Sequence, residues 1–219
     1  MVQVYGSQVK LMVQNLSMML IRWEEIYNWR RLKKMSNSIA IIRKKAVSKS
    51  VITVAAIASA IVLPQIFHIL GLASGTGTAV GAAFLPMHIP VLLAGLLGGP
   101  YAGIIAGLLS PVISFYITGM PTAAMLPFIV VELGVYGLTA GLLSQKKMNT
   151  FLKLIITQIA GRAARMVAVI AAIYVFGNTQ LTMASIGTFI TAGIFGIILQ
   201  WSFIPLFTDR IKNVKKLYE

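Results

Sequence analysis

The sequence contains no cysteine and only five acidic residues among 219. The absence of cysteine excludes disulfide bonds, thiolate metal sites and cysteine nucleophiles. No glycine-rich loop ending in Lys-Ser or Lys-Thr occurs, so we do not expect the chain to hydrolyse nucleotides by itself. The His-Glu-x-x-His and Gly-x-Ser-x-Gly motifs are also missing, and no metal site or cofactor is expected. These absences give little support to an enzyme.

Hydrophobic residues make up 58% of the chain, whereas charged residues make up 11%. A soluble domain of this length would have too little polar surface with that composition. The formal net charge is +14, a value that is also typical of nucleic-acid-binding proteins. Because the basic residues follow the ends of the apolar segments, we attribute the charge to membrane topology and to attraction for anionic lipid. The sequence therefore predicts a multi-pass protein of the cell membrane that does not bind nucleic acid.

Six apolar segments are predicted to cross the membrane as helices, each rising about 1.5 Å per residue through a core of about 30 Å. They cover residues 51–70, 85–98, 101–117, 123–143, 151–176 and 183–207. Lysine and arginine cluster before the first segment, between the fourth and fifth, and after the sixth, whereas the alternate connections carry none. Since short cytoplasmic loops retain Lys and Arg, both termini are predicted to be cytoplasmic.

The chain is predicted to have three parts, namely residues 1–47, a six-helix substrate-binding domain at 48–210, and a basic tail at 211–219. Residues 1–47 contain Trp23, Tyr27 and Trp29 beside a run of arginines and lysines. This pattern indicates a basic amphipathic helix on the inner leaflet, although a poorly ordered leader is an equally good interpretation.

Four ionisable residues, His88, Glu132, Arg162 and Arg165, lie within or at the edge of the predicted spans. Each needs a partner or water, because an unpaired charge near the bilayer centre costs about 2.5–3.5 kcal/mol even on a lenient scale. Glu132 and Arg162 both lie about 13.5 Å from the outer edge at helical rise, so the two are predicted to pair. This pair would either brace two helices or contact a substrate.

Arg165 follows Arg162 by one turn and has no acidic partner left in the membrane according to the same reasoning. It is predicted to meet an anionic or hydrogen-bonding substrate, to line a wet outer cavity, or to extend to the surface. His88 lies between Pro86 and Pro90, which interrupt helical hydrogen bonding and free carbonyl groups. The set of candidate ligand-binding residues is completed by Tyr136, Asn178 and Gln180.

Several stretches of the sequence resemble the substrate-binding S components of energy-coupling factor (ECF) vitamin transporters. They are residues 84–95, Gly98–Gly103, Leu109–Pro111, Thr118–Pro121, Val131–Leu143, Gly161-Arg162, Gly193–Gln200 and Ile204-Pro205. The resemblance covers about residues 48–210. It implies a bacterial, six-span bundle that binds a vitamin or its precursor and is not itself an enzyme.

The resemblance also implies partners. Ala56 and Ala60 match the small-residue face with which S components dock onto a membrane-embedded coupling subunit, and two ATPase subunits complete the transporter. Residues 74–83 would form a lid over the ligand, and the loaded subunit would topple in the membrane to release it.

The substrate stays open at this point. The resemblance is strongest to the branch proposed for cobalamin precursors such as dimethylbenzimidazole or α-ribazole, with pantothenate and queuosine precursors as alternatives. Two arginines would suit the carboxylate of pantothenate through charge-assisted hydrogen bonds. Other hypotheses are a solitary ion-coupled carrier that uses Glu132 as its proton site, and a membrane-embedded enzyme with His88 and Glu132 as acid and base.

Overall fold

The computed structural model describes residues 2–77, 79–177 and 193–217, and their regular structure is entirely helical. The described residues form seven helices: α1 (Val2–Ala73), α2 (Ala79–Phe84), α3 (His88–Gly98), α4 (Pro100–Thr118), α5 (Leu126–Ser144), α6 (Thr150–Tyr174) and α7 (Ile194–Leu217).

The chain divides into two compact units, Met1–Val47 and Ser48–Glu219. In the first unit, residues 2–47 are helical and form the N-terminal part of α1. The second unit contains the rest of α1 together with α2 to α7. The second unit therefore holds every candidate ligand-binding residue that the structure describes.

Among the described residues, five helical stretches are long and apolar enough to cross a membrane, and they confirm the predicted all-α membrane bundle. They are Ala46–Ala73, Pro100–Thr118, Leu126–Ser144, Thr150–Tyr174 and Ile194–Ile211. The second predicted span is represented by the shorter helix α3, which has 11 residues. Residues 183–192, the first part of the sixth predicted span, lie outside the described residues, and α7 continues beyond its apolar part to Leu217.

Proline and glycine set the boundary between α3 and α4. Gly99 separates the two helices with a φ of 87°, in the region that residues with a Cβ atom rarely adopt. Pro100 follows at the first position of α4, where its missing N–H would have no intrahelical partner in any case. The sequence Gly98-Gly99-Pro100 thus forms a tight turn between the two helices.

Glycine also allows α4 and α5 to approach each other at backbone distance. A Cβ atom on Gly103 would overlap the carbonyl group of Gly137, and one on Gly107 would overlap the carbonyl group of Leu133. Gly95 of α3 faces the same helix, since its Cβ would lie 2.7 Å from the Gly137 oxygen. These glycines therefore allow α3 and α4 to pack closely against α5.

Ala56 and Ala60 of α1 point into the bundle and are 7% and 0% exposed. Ala60 packs in a cluster with Met87, Val91 and Leu133, and Ala56 packs with small residues of α3 and α4. Helices of the same bundle therefore cover both alanines, and the docking role that the resemblance implies for them stays a prediction. The spacing showed that they share a helix face but not which neighbour covers it.

The connection between α1 and α3 contains a helix that the sequence did not predict. Residues 79–84, which overlap the lid that the resemblance implies at 74–83, form α2. The ring of Phe84 lies 5.4 Å from that of Phe67 and 6.5 Å from that of Phe195. Aromatic contacts thus connect the end of this segment to both α1 and α7.

Candidate functional site

A buried ion pair joins α5 to α6. Glu132, on α5, is 0% exposed. Its Oε2 atom accepts a hydrogen bond of 2.7 Å from Nη1 of Arg165, and its Oε1 atom lies 3.4 Å from Nε of Arg162. One carboxylate therefore faces two guanidinium groups, which offsets the cost of placing each charge in an apolar bundle.

The geometry confirms one sequence prediction and corrects another. Glu132 and Arg162 lie within ion-pair distance, as their matching depths predicted. The prediction that Arg165 lacks an acidic partner is wrong, because Arg165 makes the shorter contact with Glu132. Arg162 and Arg165 are three residues apart and share a helix face, so the two oxygens of one carboxylate can meet both.

His88 and Tyr136 lie beside the ion pair. The Nε2 atom of His88, at the start of α3, is 3.8 Å from Oε1 of Glu132. The imidazole ring meets the phenol ring of Tyr136 edge to face, with centroids 5.3 Å apart. Tyr136 follows Glu132 by one turn on α5 and is 1% exposed. Three helices, α3, α5 and α6, thus bring five of the predicted site residues together.

A glycine on α6 positions the tyrosine. A Cβ atom on Gly161 would overlap Cδ1 and Cε1 of Tyr136. The phenol ring therefore lies directly against the α6 backbone, one residue before Arg162. Any side chain at this position would displace the ring, so glycine is required here for close packing rather than for backbone conformation.

The cluster retains hydrogen-bonding capacity. Within the part of the chain that the structure describes, Oε1 of Glu132 and both ring nitrogens of His88 make no hydrogen bond. A buried polar atom left without a hydrogen bond costs about 1–3 kcal/mol. A polar ligand that supplies hydrogen-bonding groups to these atoms would therefore gain binding energy.

The electrostatic balance of the cluster is positive. Glu132 is the only acidic residue between positions 26 and 208, so its carboxylate is the only negative side chain available to Arg162 and Arg165 in the spans. Arg162 also lies near the start of α7, where a Cβ atom on Gly193 would be 3.2 Å from Nη2. The excess positive charge favours an anionic group at this position.

Two predicted site residues, Asn178 and Gln180, lie outside the described residues. Among the residues that are described, no group of three or more His, Asp or Glu side chains could hold a metal ion. The site as described thus consists of His88, Glu132, Tyr136, Arg162 and Arg165.

A second cluster of polar side chains, which the sequence did not predict, joins α6 to α7. The Nε2 atom of Gln158 donates a hydrogen bond of 2.8 Å to Oε1 of Gln200, and Nε1 of Trp201 donates one of 2.6 Å to Oε1 of Gln158. Gln158 precedes Arg162 by one helical turn. The sequence signal for this cluster is a glutamine within an apolar span, on the same helix face as two arginines.

Comparison with known protein families agrees with this architecture. The family model described as "ECF transporter, substrate-specific component" matches residues 48–207. Curated proteins and solved structures gave no match. The match covers most of the chain, including α2 to α6 and the five residues of the described site. The chain therefore belongs to the family of substrate-specific components of ECF transporters.

Proposed function

We propose that this protein binds a small polar micronutrient or its precursor in the membrane and presents it to an ATP-driven importer. The observation that carries the proposal is the Glu132 carboxylate, which is fully buried and lies against Arg165 and Arg162. Intramembrane charges are expensive and mark substrate pathways more often than they serve packing alone. The family match supports the transport role.

The ligand is proposed to carry an anionic group. Two guanidinium groups face a single carboxylate, and guanidinium recognises carboxylate with two parallel hydrogen bonds. A second polar group on the ligand would satisfy Oε1 of Glu132 and the imidazole of His88. Pantothenate combines a carboxylate with hydroxyl and amide groups and matches this description. A neutral dimethylbenzimidazole or a queuosine precursor would offer the hydrogen bonds without the charge.

The energy for import is proposed to come from partner subunits. The sequence has no phosphate-binding loop that would allow the chain to hydrolyse ATP. A membrane-embedded coupling subunit and two ATPase subunits would therefore complete the transporter. This arrangement is favoured over a solitary ion-coupled carrier or an embedded enzyme, because the family consists of transporter subunits.

Mass spectrometry of small molecules that co-purify with the detergent-extracted protein tests the proposal. We expect one compound at close to one molecule per chain, with a carboxylate or comparable anionic group. A benzimidazole or a deazaguanine at the same ratio would support the importer function and refute the anionic ligand. A folded protein without any ligand, whose uptake activity depends on a proton gradient and not on ATP, would contradict the proposed function itself.

A further inference from the structure

The first unit of the chain contains a strongly basic stretch that the family match does not include. Residues 22–47, called the basic segment below, hold eight basic residues and two acidic ones, Glu24 and Glu25. The basic residues are Arg22, Arg30, Arg31, Lys33, Lys34, Arg43, Lys44 and Lys45. The family match begins at residue 48, so the proposed transport function gives this segment no role.

The basic segment is helical and has an apolar side. Leu32, Met35, Ile39 and Ile42 follow one another at intervals of three or four residues, which places them on one face of α1. Leu32 and Met35 are 64% and 53% exposed. Two exposed apolar side chains in this apolar stripe on one helix face favour contact with a partner surface.

The other residues of the basic segment are typical of a membrane–water interface. Arg30, Lys33 and Lys34 are exposed and lie away from the apolar stripe at 100° per residue. Trp23 and Trp29 are also exposed, and Nζ of Lys33 lies 4.7 Å from the centroid of the Trp29 ring. Amphipathic tryptophan side chains favour the headgroup level, where their rings meet lipid and their N–H groups meet water.

The position of the basic segment in the sequence identifies the surface that it meets. It leads directly into the first candidate span, Ala46–Ala73, at the end that the charge distribution assigns to the cytoplasm. The cytoplasmic leaflet carries anionic lipids, which attract basic residues close to a transmembrane helix. The charges of the segment and of that surface are complementary.

We infer that the basic segment, residues 22–47, is a binding surface for the anionic phospholipid headgroups of the cytoplasmic leaflet. The arginines and lysines contact the phosphates, while the apolar stripe enters the headgroup layer. This interaction does not depend on the transported ligand or on the ATPase subunits.

Hydrogen–deuterium exchange of the full-length protein in lipid nanodiscs tests the inference. The discs contain phosphatidylcholine alone or a mixture with phosphatidylglycerol. We expect exchange at residues 22–47 to be several-fold slower with phosphatidylglycerol, and high salt to remove much of the difference by screening. Exchange in α5 and α6 serves as the internal reference and should be the same in both lipids.

Two variants show whether the charges of the basic segment cause the protection. The variant R30Q/R31Q/K33Q/K34Q removes four positive charges from the segment and should exchange equally fast in both lipids. The control K146Q/K147Q/K215Q/K216Q removes four from other cytoplasmic regions and should behave like the wild type. Equal exchange of the wild type in both lipids would overturn the inference. Protection that rises with protein concentration in both lipids would also overturn it, because a second copy of the chain would then cover the segment.

Discussion

Glu132 contacts both arginines of the proposed site. Its carboxylate holds Arg165 through a bond of 2.7 Å and lies within ion-pair distance of Arg162, so it connects α5 to α6. A single buried carboxylate beside two guanidinium groups leaves the cluster positively charged and able to accept an anion. Helix bracing and the proposed ligand recognition therefore involve the same residues and are not alternatives.

The sequence predicted the members of this cluster better than their contacts. Counting residues from the span ends gave equal depths for Glu132 and Arg162, and the structure places them together. Depth along a helix does not specify rotation about its axis, so the stronger contact with Arg165 was not predicted. The contact of Tyr136 with Gly161 depends on the separation of two helices, a quantity that no single-sequence pattern contains.

Gly161→Ala tests the positioning of Tyr136. The added methyl group would overlap the phenol ring and displace it from the cluster. We expect ligand affinity to fall by about tenfold or more, which corresponds to about 1.4 kcal/mol. Binding calorimetry with the co-purified ligand measures the effect. Gly134→Ala is the control, because its methyl group would meet the movable end of Leu108. If Gly161→Ala and Gly134→Ala bind the ligand with equal affinity, the result would contradict a role of the Tyr136 ring in ligand binding.

At the level of helices, polar contacts supplement the apolar packing of α7. Gln158 bonds to Gln200 and Trp201, and Thr150 donates a hydrogen bond of 3.3 Å to Oδ1 of Asp209. Inside a membrane, apolar surface gives helices little reason to associate, and hydrogen bonds and close packing contribute more. These contacts hold the inner half of α7 against α6.

The sequence predicted which segments are helical better than it predicted where each helix begins and ends. Continuous apolar character predicted a full span over residues 85–98, whereas α3 begins only at His88 and is 11 residues long. The shortening lies entirely at the N-terminal end, where Pro86 and the positive φ of Leu85 (48°) interrupt regular helical structure. The sequence did not predict α2, because the contacts of Phe84 with Phe67 and Phe195 are tertiary rather than local.

Gln158→Leu tests the contribution of the glutamine network. The change leaves the Gln200 oxygen and the indole N–H of Trp201 without their present partner. We expect a loss of about 0.6–2 kcal/mol in the free energy of unfolding, in line with other intramembrane hydrogen bonds. Thermal or denaturant unfolding in detergent provides the measurement. Ser202→Ala removes an exposed hydroxyl that bonds only within α7 and should change little. An unchanged midpoint for Gln158→Leu would show that the network is energetically neutral.

Ala60→Trp distinguishes packing from docking on α1. Ala60 is 0% exposed, so an indole ring at this position would separate α1 from the cluster around Met87 and Val91. We expect the purified variant to be strongly destabilised and to lose ligand binding. Ala58→Trp is the matched control, because Ala58 is exposed and the ring has room there. Normal stability of Ala60→Trp together with lost import would instead support the docking role that the resemblance implies.

At the scale of the whole molecule, charge sets the arrangement of the helices in the membrane. Basic residues lie in the first 50 positions, at Lys146 and Lys147 between α5 and α6, and after α7, whereas acidic residues are almost absent from the spans. Such a distribution fixes the cytoplasmic side of each connection. The sequence therefore sufficed for the membrane-bundle fold and the family, while the identity of the ligand depends on side-chain geometry.

Dependence on partner subunits provides a prediction for the whole protein. Cells that produce this chain but lack the ATPase subunits should take up no ligand, because the chain has no nucleotide-binding loop of its own. Radiolabelled uptake measures the effect, and ligand affinity of the purified chain should be unaltered. Uptake that persists without the ATPases and collapses with the proton gradient would favour the solitary carrier.

The most direct test of the proposed site is the amount of ligand that co-purifies with Arg165→Ala. The variant removes the shortest contact to Glu132 and one of the two positive charges proposed to hold the ligand. Arg165→Lys keeps the positive charge but loses the planar guanidinium group that can form two parallel hydrogen bonds. Arg210→Ala, which removes an exposed arginine, is the control. We predict a loss of affinity of about tenfold or more for Arg165→Ala, partial retention for Arg165→Lys, and none for Arg210→Ala. A folded Arg165→Ala protein that retains ligand as the wild type does would contradict the site at Glu132.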